Sequence, residues 1–213
     1  MASAIIHMAV AKKVNEVLNI KPENHFLLGA IAPDIAKMVG SQRYISHFIN
    51  ESDKDITNIP NMDNFLNKYK EYLVHPYELG YYVHLLTDVL WFKEYLPNIA
   101  DDQELVIINK DGVAIKYDEE EYLKILYNDY TKMNVEVVDY YGLDFSLFYE
   151  KFDYPVNHIE EVDEKYFDDV IKKFGDLASN EANASYAMDI KRIVHFIEYA
   201  TVYCLDEINK LWD

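Results

Sequence analysis

The stretch Leu79-Gly-Tyr-Tyr-Val-His84-Leu-Leu-Thr-Asp88-Val-Leu-Trp-Phe92 decides how the chain is read. It lies in a helical pattern from Tyr77 to Tyr95 that is apolar almost all round, the mark of a buried helix. His84 and Asp88 stand four residues apart in it, so they share one face with Cβ atoms roughly 5–6 Å apart. Tyr77, Tyr81, Trp91 and Tyr95 continue the same stripe in alternating steps of four and three. A carboxylate in such a helix is costly unless it is paired, protonated or metal-bound. An imidazole and a carboxylate one turn apart form a two-ligand face for a divalent cation. They equally suit a hydrogen-bonded pair in a core, and the pair alone does not separate the two.

Outward from this helix the chain reads as mainly α. Residues 3–18 form a helix with Ile6, Val10, Val14 and Val17 at helical spacing and Ser3 as its cap. His7 shares the inward stripe, either as a core residue or as a ligand. His25-Phe-Leu-Leu-Gly-Ala-Ile-Ala-Pro-Asp34 is a short apolar helix expected to stop at Pro33, with His25 at the surface and Asp34 at a turn, where it caps a helix or reaches a metal. Residues 37–60 are polar and irregular, but Tyr44 and Phe48 near His47 suggest that this segment packs, with Asn50–Asn58 as a surface loop. A helix runs from Pro60 to about Leu73, before His75-Pro76 breaks it. Two β-rich runs around Asn-Lys-Asp-Gly predict a hairpin over 104–117. Helices follow over 118–140, 163–178 and 184–211, with a short element at 144–151. Asp129 sits beside aromatics in Leu-Tyr-Asn-Asp-Tyr, and His195 reads as packing or surface. The expected architecture is one domain over 1–213, a bundle of about seven to nine helices with one small hairpin.

Composition bounds the function. The chain has 213 residues, half of them hydrophobic, and 19 are tyrosines, as in a globular core. No run is long enough to span a bilayer, and the N-terminus lacks the basic start of a signal peptide, so the expected location is cytoplasmic. Cys204 stands alone, which excludes a disulfide framework and a cysteine-rich zinc site. A net charge of −18 repels nucleic-acid phosphates and anionic headgroups, so neither a nucleic-acid duplex nor stable membrane association is expected.

Taken in order, the inward His7, Leu-Leu-Gly-Ala-Ile-Ala-Pro-Asp34, Ser-His47-Phe and His84-Leu-Leu-Thr-Asp88 form a set that resembles the zinc-dependent phospholipase C family, in its short intracellular bacterial branch. The wider group includes single-strand-specific nucleases. The resemblance covers about residues 3–95 by motif, and the Asp129 helix looks similar. It implies an α-helical bundle whose ligands converge on one cleft. Asp34, His47, His84 and Asp88 would hold a first metal, Asp88 would bridge to a second held by His7, and Asp129 would be a substitute ligand. The chain departs from the secreted enzymes in starting Met-Ala-Ser, in having no His between His84 and His158, and in lacking a later His-x-x-x-Glu pair. One or two ions fit it better than three, zinc first, with manganese or iron compatible.

The resemblance implies hydrolysis of a small phosphate ester, most readily a diester. A bound divalent ion makes hydroxide available near neutral pH and stabilises charge on phosphorus. Asp34 would ligate, act as the catalytic base, or both, and Arg43 either holds a phosphate oxygen or makes a surface salt bridge. A metal-binding module without catalysis and a metal-free helical interaction protein compete with this reading.

Overall fold

The computed structural model describes residues 2–37, 42–149 and 153–212. Among them are nine α-helices and one three-stranded antiparallel sheet. Helix α1 (Ala4–Leu18) starts where the Ser3 hydroxyl accepts from the Ile6 N–H at 3.3 Å and ends at Asn19, whose φ of 50° is left-handed. Helix α2 (Glu23–Ile31) does not halt the chain at Pro33. The coil tightens instead into a 3-10 segment, Ala32–Lys37, that carries Asp34. Helix α3 (Arg43–Ser46) is a single turn, and of the irregular span expected at 37–60, residues 38–41 lie outside the described ones. The expected loop at Asn50–Asn58 holds only a 3-10 turn, Glu51–Asp53. Helix α4 (Met62–Tyr69) is capped by the Asn61 side chain and runs on as a 3-10 segment to Val74.

Pro76 opens α5 (Pro76–Leu90), where a missing N–H costs nothing. The helical pattern read as far as Tyr95 is α only to Leu90. Trp91–Tyr95 form a π turn and Leu96–Asn98 a 3-10 turn. The predicted hairpin is present as β2 (Val106–Ile108) and β3 (Ala114–Lys116), and β1 (Ala100–Asp101) adds a strand not expected from sequence, giving the order β1-β2-β3. Its turn depends on Asn109, whose side-chain oxygen accepts from the Asp111 and Val113 N–H groups, and on Gly112 at φ +79°. Helix α6 (Glu119–Tyr141) lies between an Asp118 cap and a left-handed Gly142. Helix α7 (Ser146–Tyr149) matches part of the element expected at 144–151, of which residues 150 and 151 lie outside the described ones. Helix α8 (Phe167–Ser179) and α9 (Ile190–Trp212) complete the bundle. The last helix starts later than the expected residue 184. Asp189 accepts from the Lys191 and Arg192 N–H groups as its cap, and the N–H groups of Tyr186, Ala187 and Met188 are held by Asp129.

One hydrophobic core runs from Ala2 to Ile208. At its centre α2 crosses α5 with backbone against backbone. A Cβ on Gly29 would lie 1.9 Å from the Tyr77 carbonyl oxygen, and one on Gly80 would lie 1.9 Å from that of Phe26. Glycine at both positions is what allows this approach. No described helix is long and apolar enough to cross a membrane.

Gly80→Ala should therefore separate α2 from α5. With no flexible side chain to yield, we expect a loss of about 3 kcal/mol or more, or roughly 6–12 °C in Tm for a chain of this size. Thermal melts followed by circular dichroism check this, and an unchanged Tm would show that the crossing is not tight.

Candidate metal centre

Four segments bring five side chains together. Helix α1 supplies His7, the 3-10 turn after α2 supplies Asp34, the residue after α3 is His47, and α5 supplies His84 and Asp88. All but Asp34 are fully buried. Donor atoms of His47, His84 and Asp88 lie within 4.8 Å of one another, and so do those of His7, Asp34 and His84.

The local backbone fixes which way each ring faces. The α2–α5 crossing places the Ala30 carbonyl 2.8 Å from His84 Nδ1. A carbonyl only accepts, so Nδ1 carries the proton and Nε2 is left as a bare imine nitrogen. His47 is held the same way. Its Nδ1 lies 3.2 Å from the Arg43 carbonyl and 2.9 Å from Ser46 Oγ. That hydroxyl spends its own proton on the Pro33 carbonyl at 2.9 Å, so it accepts from His47. Tyr81 Oη donates to the Ser46 carbonyl at 2.5 Å and pins the same turn. Phe48 next to it takes φ +57°, a strained value for a phenylalanine, held by its ring packing on Phe65, Tyr69 and Tyr81. This segment therefore packs, as its aromatics suggested.

The result is a cluster of acceptors. His84 Nε2 and His47 Nε2 face each other at 3.2 Å, with neither left a proton to donate. His47 Nε2 is 3.4 Å from Asp88 Oδ2 and 4.0 Å from Asp34 Oδ1. His7 stacks on His84 with ring centroids 3.6 Å apart, and its Nε2 lies 3.3 Å from Asp88 Oδ1 without hydrogen-bond geometry. Both ring nitrogens of His7 and Asp34 Oδ1 are buried without a hydrogen-bond partner. Lone pairs converging in a dry interior are unfavourable unless a cation lies among them. Ligands of a tetrahedral ion with bonds of about 2.0–2.1 Å stand about 3.3 Å apart, close to the 3.2 and 3.4 Å found here. The donor set therefore fits a divalent metal. His84 has only Nε2 to give, so the two overlapping groups describe one centre.

A proton is a poor substitute for that cation. Burial, then the Arg43 charge, pushes the His47 imidazolium below its ordinary range. Burial and the neighbouring His7 push His84 down further. Burial raises the Asp88 carboxyl, but its polar contacts with His47 and His7 and the Arg43 charge outweigh this and hold it well below the usual carboxylate range.

Arg43 is neither a surface ion pair nor free for a substrate in this structure. Its side chain is 15% exposed, its Nη2 donates to Asp88 Oδ2 at 2.5 Å and its Nη1 to the Asn58 carbonyl at 2.8 Å. The guanidinium lies over the Phe92 ring, 5.2 Å from its centroid. Asp129 is not part of the centre, which corrects the expectation of a substitute ligand. It is buried, but Oδ1 accepts from the Tyr186 N–H at 2.7 Å and Oδ2 from those of Ala187 and Met188 at 2.7 and 2.8 Å. A carboxylate so occupied anchors the turn before α9. Of the two readings for His195, packing or surface, the structure shows the surface one.

A cleft of about 570 Å³ adjoins the centre and is floored by Ile31, Leu126 and Phe174, with Asn134 and Lys173 among its polar groups. Asp34, 16% exposed, and Ala2 belong to both cleft and centre. The Ala2 N–H donates to Asp88 Oδ1 at 3.1 Å. Sequence reading missed Ala2, Ser46 and the cleft. Only Ser46 left a trace, in its place beside His47.

No family model matches this chain, and comparison with curated proteins and with solved structures likewise gives no match.

The geometry separates two buried aspartates. Asp88→Asn should abolish stoichiometric metal uptake while the chain still folds, and Asp129→Ala should cost about 3 kcal/mol or more while uptake stays as in wild type. His195→Ala is the control. Elemental analysis with thermal melts checks this, and full metal occupancy in Asp88→Asn would defeat the assignment. Acid should also unfold the chelated protein early. His47 and His84 are depressed from an ordinary value of 6.5, so the unfolded chain binds protons there before the fold does. Stability is then complete above that value and falls as pH drops below it, with Asp88 adding a further loss below 3.8. Urea midpoints measured against pH check the sign, and a flat profile between about pH 7 and 5 would contradict it.

Proposed function

We propose that the protein is a metal-dependent hydrolase of phosphate esters, a cytoplasmic bacterial protein similar to the zinc-dependent phospholipases C. The observation that carries this is the 3.2 Å contact between two bare imidazole nitrogens beside Asp88 at the edge of an apolar cleft. His47, His84 and Asp88 would hold the ion, with His7 and Asp34 on its other side. Imidazole nitrogen with carboxylate oxygen suits zinc, and the shared His84 nitrogen favours one ion. Once bound, such an ion acidifies water and draws negative charge from a phosphoryl group.

The remaining roles belong to the chain itself. Asp34 lines the cleft beside the centre, and in this reading its carboxylate would take the proton of the attacking water. The Ala30 and Arg43 carbonyls keep both histidines in the tautomer that presents Nε2. The apolar floor of the cleft accepts the organic part of the ester and excludes water around it. Lys173 at the cleft offers a positive charge to an anionic substrate in a protein that otherwise repels one.

Protein purified without added metal should carry about one zinc per chain. It should cleave a bis-aryl phosphodiester, lose that activity to a chelator and regain it with zinc. Metal without turnover would leave a binding module of the same architecture. Absence of metal uptake at any concentration would leave a helical interaction protein.

A further inference from the structure

Resting on the metal reading above, we infer that Arg43 is a built-in counter-cation that holds Asp88 in the apo protein and competes with the metal for it. The guanidinium makes the shortest contact in the cluster, 2.5 Å to Asp88 Oδ2, and this is the oxygen that faces His47 Nε2 at 3.4 Å. A metal shared by His47, His84 and Asp88 would draw on this same oxygen. Among the described residues Arg43 is also the one arginine or lysine that pairs with a carboxylate of the cluster.

Charge decides the direction of the effect. One divalent ion balances Asp34 and Asp88 and leaves the Arg43 charge in excess, in a site where two like charges a few ångströms apart interact strongly. Arg43 therefore stabilises the apo centre and opposes loading. It is also built to let go. Its Nη1 bond to the Asn58 carbonyl and its place over Phe92 do not depend on Asp88, and its Nε is buried without a partner. Released from Oδ2, the guanidinium keeps two anchors and can turn its fork to an anionic ligand. Its carbonyl continues to orient His47 whatever the side chain does. Arg43 is thus a positioning residue whose side chain and backbone act separately on the same site.

The test is zinc affinity, measured by competition with a chromophoric chelator for wild type, Arg43→Met and Arg43→Lys. Arg43→Met should bind zinc about tenfold more tightly or better, and Arg43→Lys, which keeps the charge, should gain less than Arg43→Met. Chelated Arg43→Met should melt well below chelated wild type, and zinc should remove the difference. If Arg43→Met folds only with zinc, that itself shows the apo centre to depend on the guanidinium. Competition is then read in wild type, where added zinc should shift the Arg43 Nε–H resonance of ¹⁵N-labelled protein. Equal or weaker zinc binding in Arg43→Met, or an unmoved resonance, overturns the inference while leaving the metal reading standing. A wild type that takes up no zinc defeats the metal reading and this inference with it.

Discussion

The contact between the backbones of α2 and α5 governs everything that follows in the site. Gly29 and Gly80 bring the Tyr77 and Phe26 carbonyls to distances that a side chain on either glycine would forbid. At that separation the Ala30 carbonyl, near the end of α2, comes within hydrogen-bonding reach of His84 on α5. The bond decides where the imidazole proton sits, and so decides that a lone pair faces inward. With a side chain at either glycine the helices would stand further apart and the His84 tautomer would be free to change. A packing constraint in the core thus becomes a statement about chemistry one turn away.

The second requirement is electrostatic. Helix α5 is buried almost throughout and carries a carboxylate. Losing the partner of a buried charge costs about 3–5 kcal/mol, so Asp88 cannot be left to itself. It is surrounded by the Ala2 N–H, His7, His47 and Arg43, drawn from parts of the chain far apart in sequence. Of these only the backbone N–H and the guanidinium are committed donors. The Arg43 carbonyl holds His47 so that its Nε2 meets Asp88 as an acceptor, and both ring nitrogens of His7 lack a hydrogen-bond partner, so these contacts do not form a closed ion-pair network.

Much of the site was legible because its residues sit on local patterns. His84 and Asp88 fall on a stripe of aromatics, His7 on a stripe of aliphatics, and Asp34 and His47 next to a proline turn and a phenylalanine. The fold class followed from the same periodicities, since helical spacing recurs along most of the chain. Asp129 shows where this stops. It is buried beside aromatics just as Asp88 is, but its partners are backbone N–H groups some 57–59 positions away, and backbone groups leave no mark in a sequence. Strand β1 escaped notice because two residues carry no period. The π turn at Trp91–Tyr95 was invisible because its sequence suits an α-helix equally well. There tertiary packing decides, with Trp91 stacked on Tyr95 and set edge-on to Phe196 of the last helix.

The way into the centre also constrains what can react there. His7, His47, His84 and Asp88 are sealed by the bundle, and Asp34 and Ala2 are the residues that the centre shares with the cleft. On the proposed reading a substrate must place its phosphoryl group over Asp34 and its organic part against Leu126 and Phe174. A chain with a net charge of −18 opposes the approach of any such anion. On the same reading that opposition would be overcome locally, by Lys173 at the cleft and by the charge of a bound divalent ion. Loaded with one divalent ion and with Arg43 retained, the cluster carries the sign that an anionic ester needs. On that reading the arginine that would oppose the metal in the apo protein is the same group that would favour an anionic substrate once the ion is bound, and its 15% exposed side chain is held beside the buried Asp88.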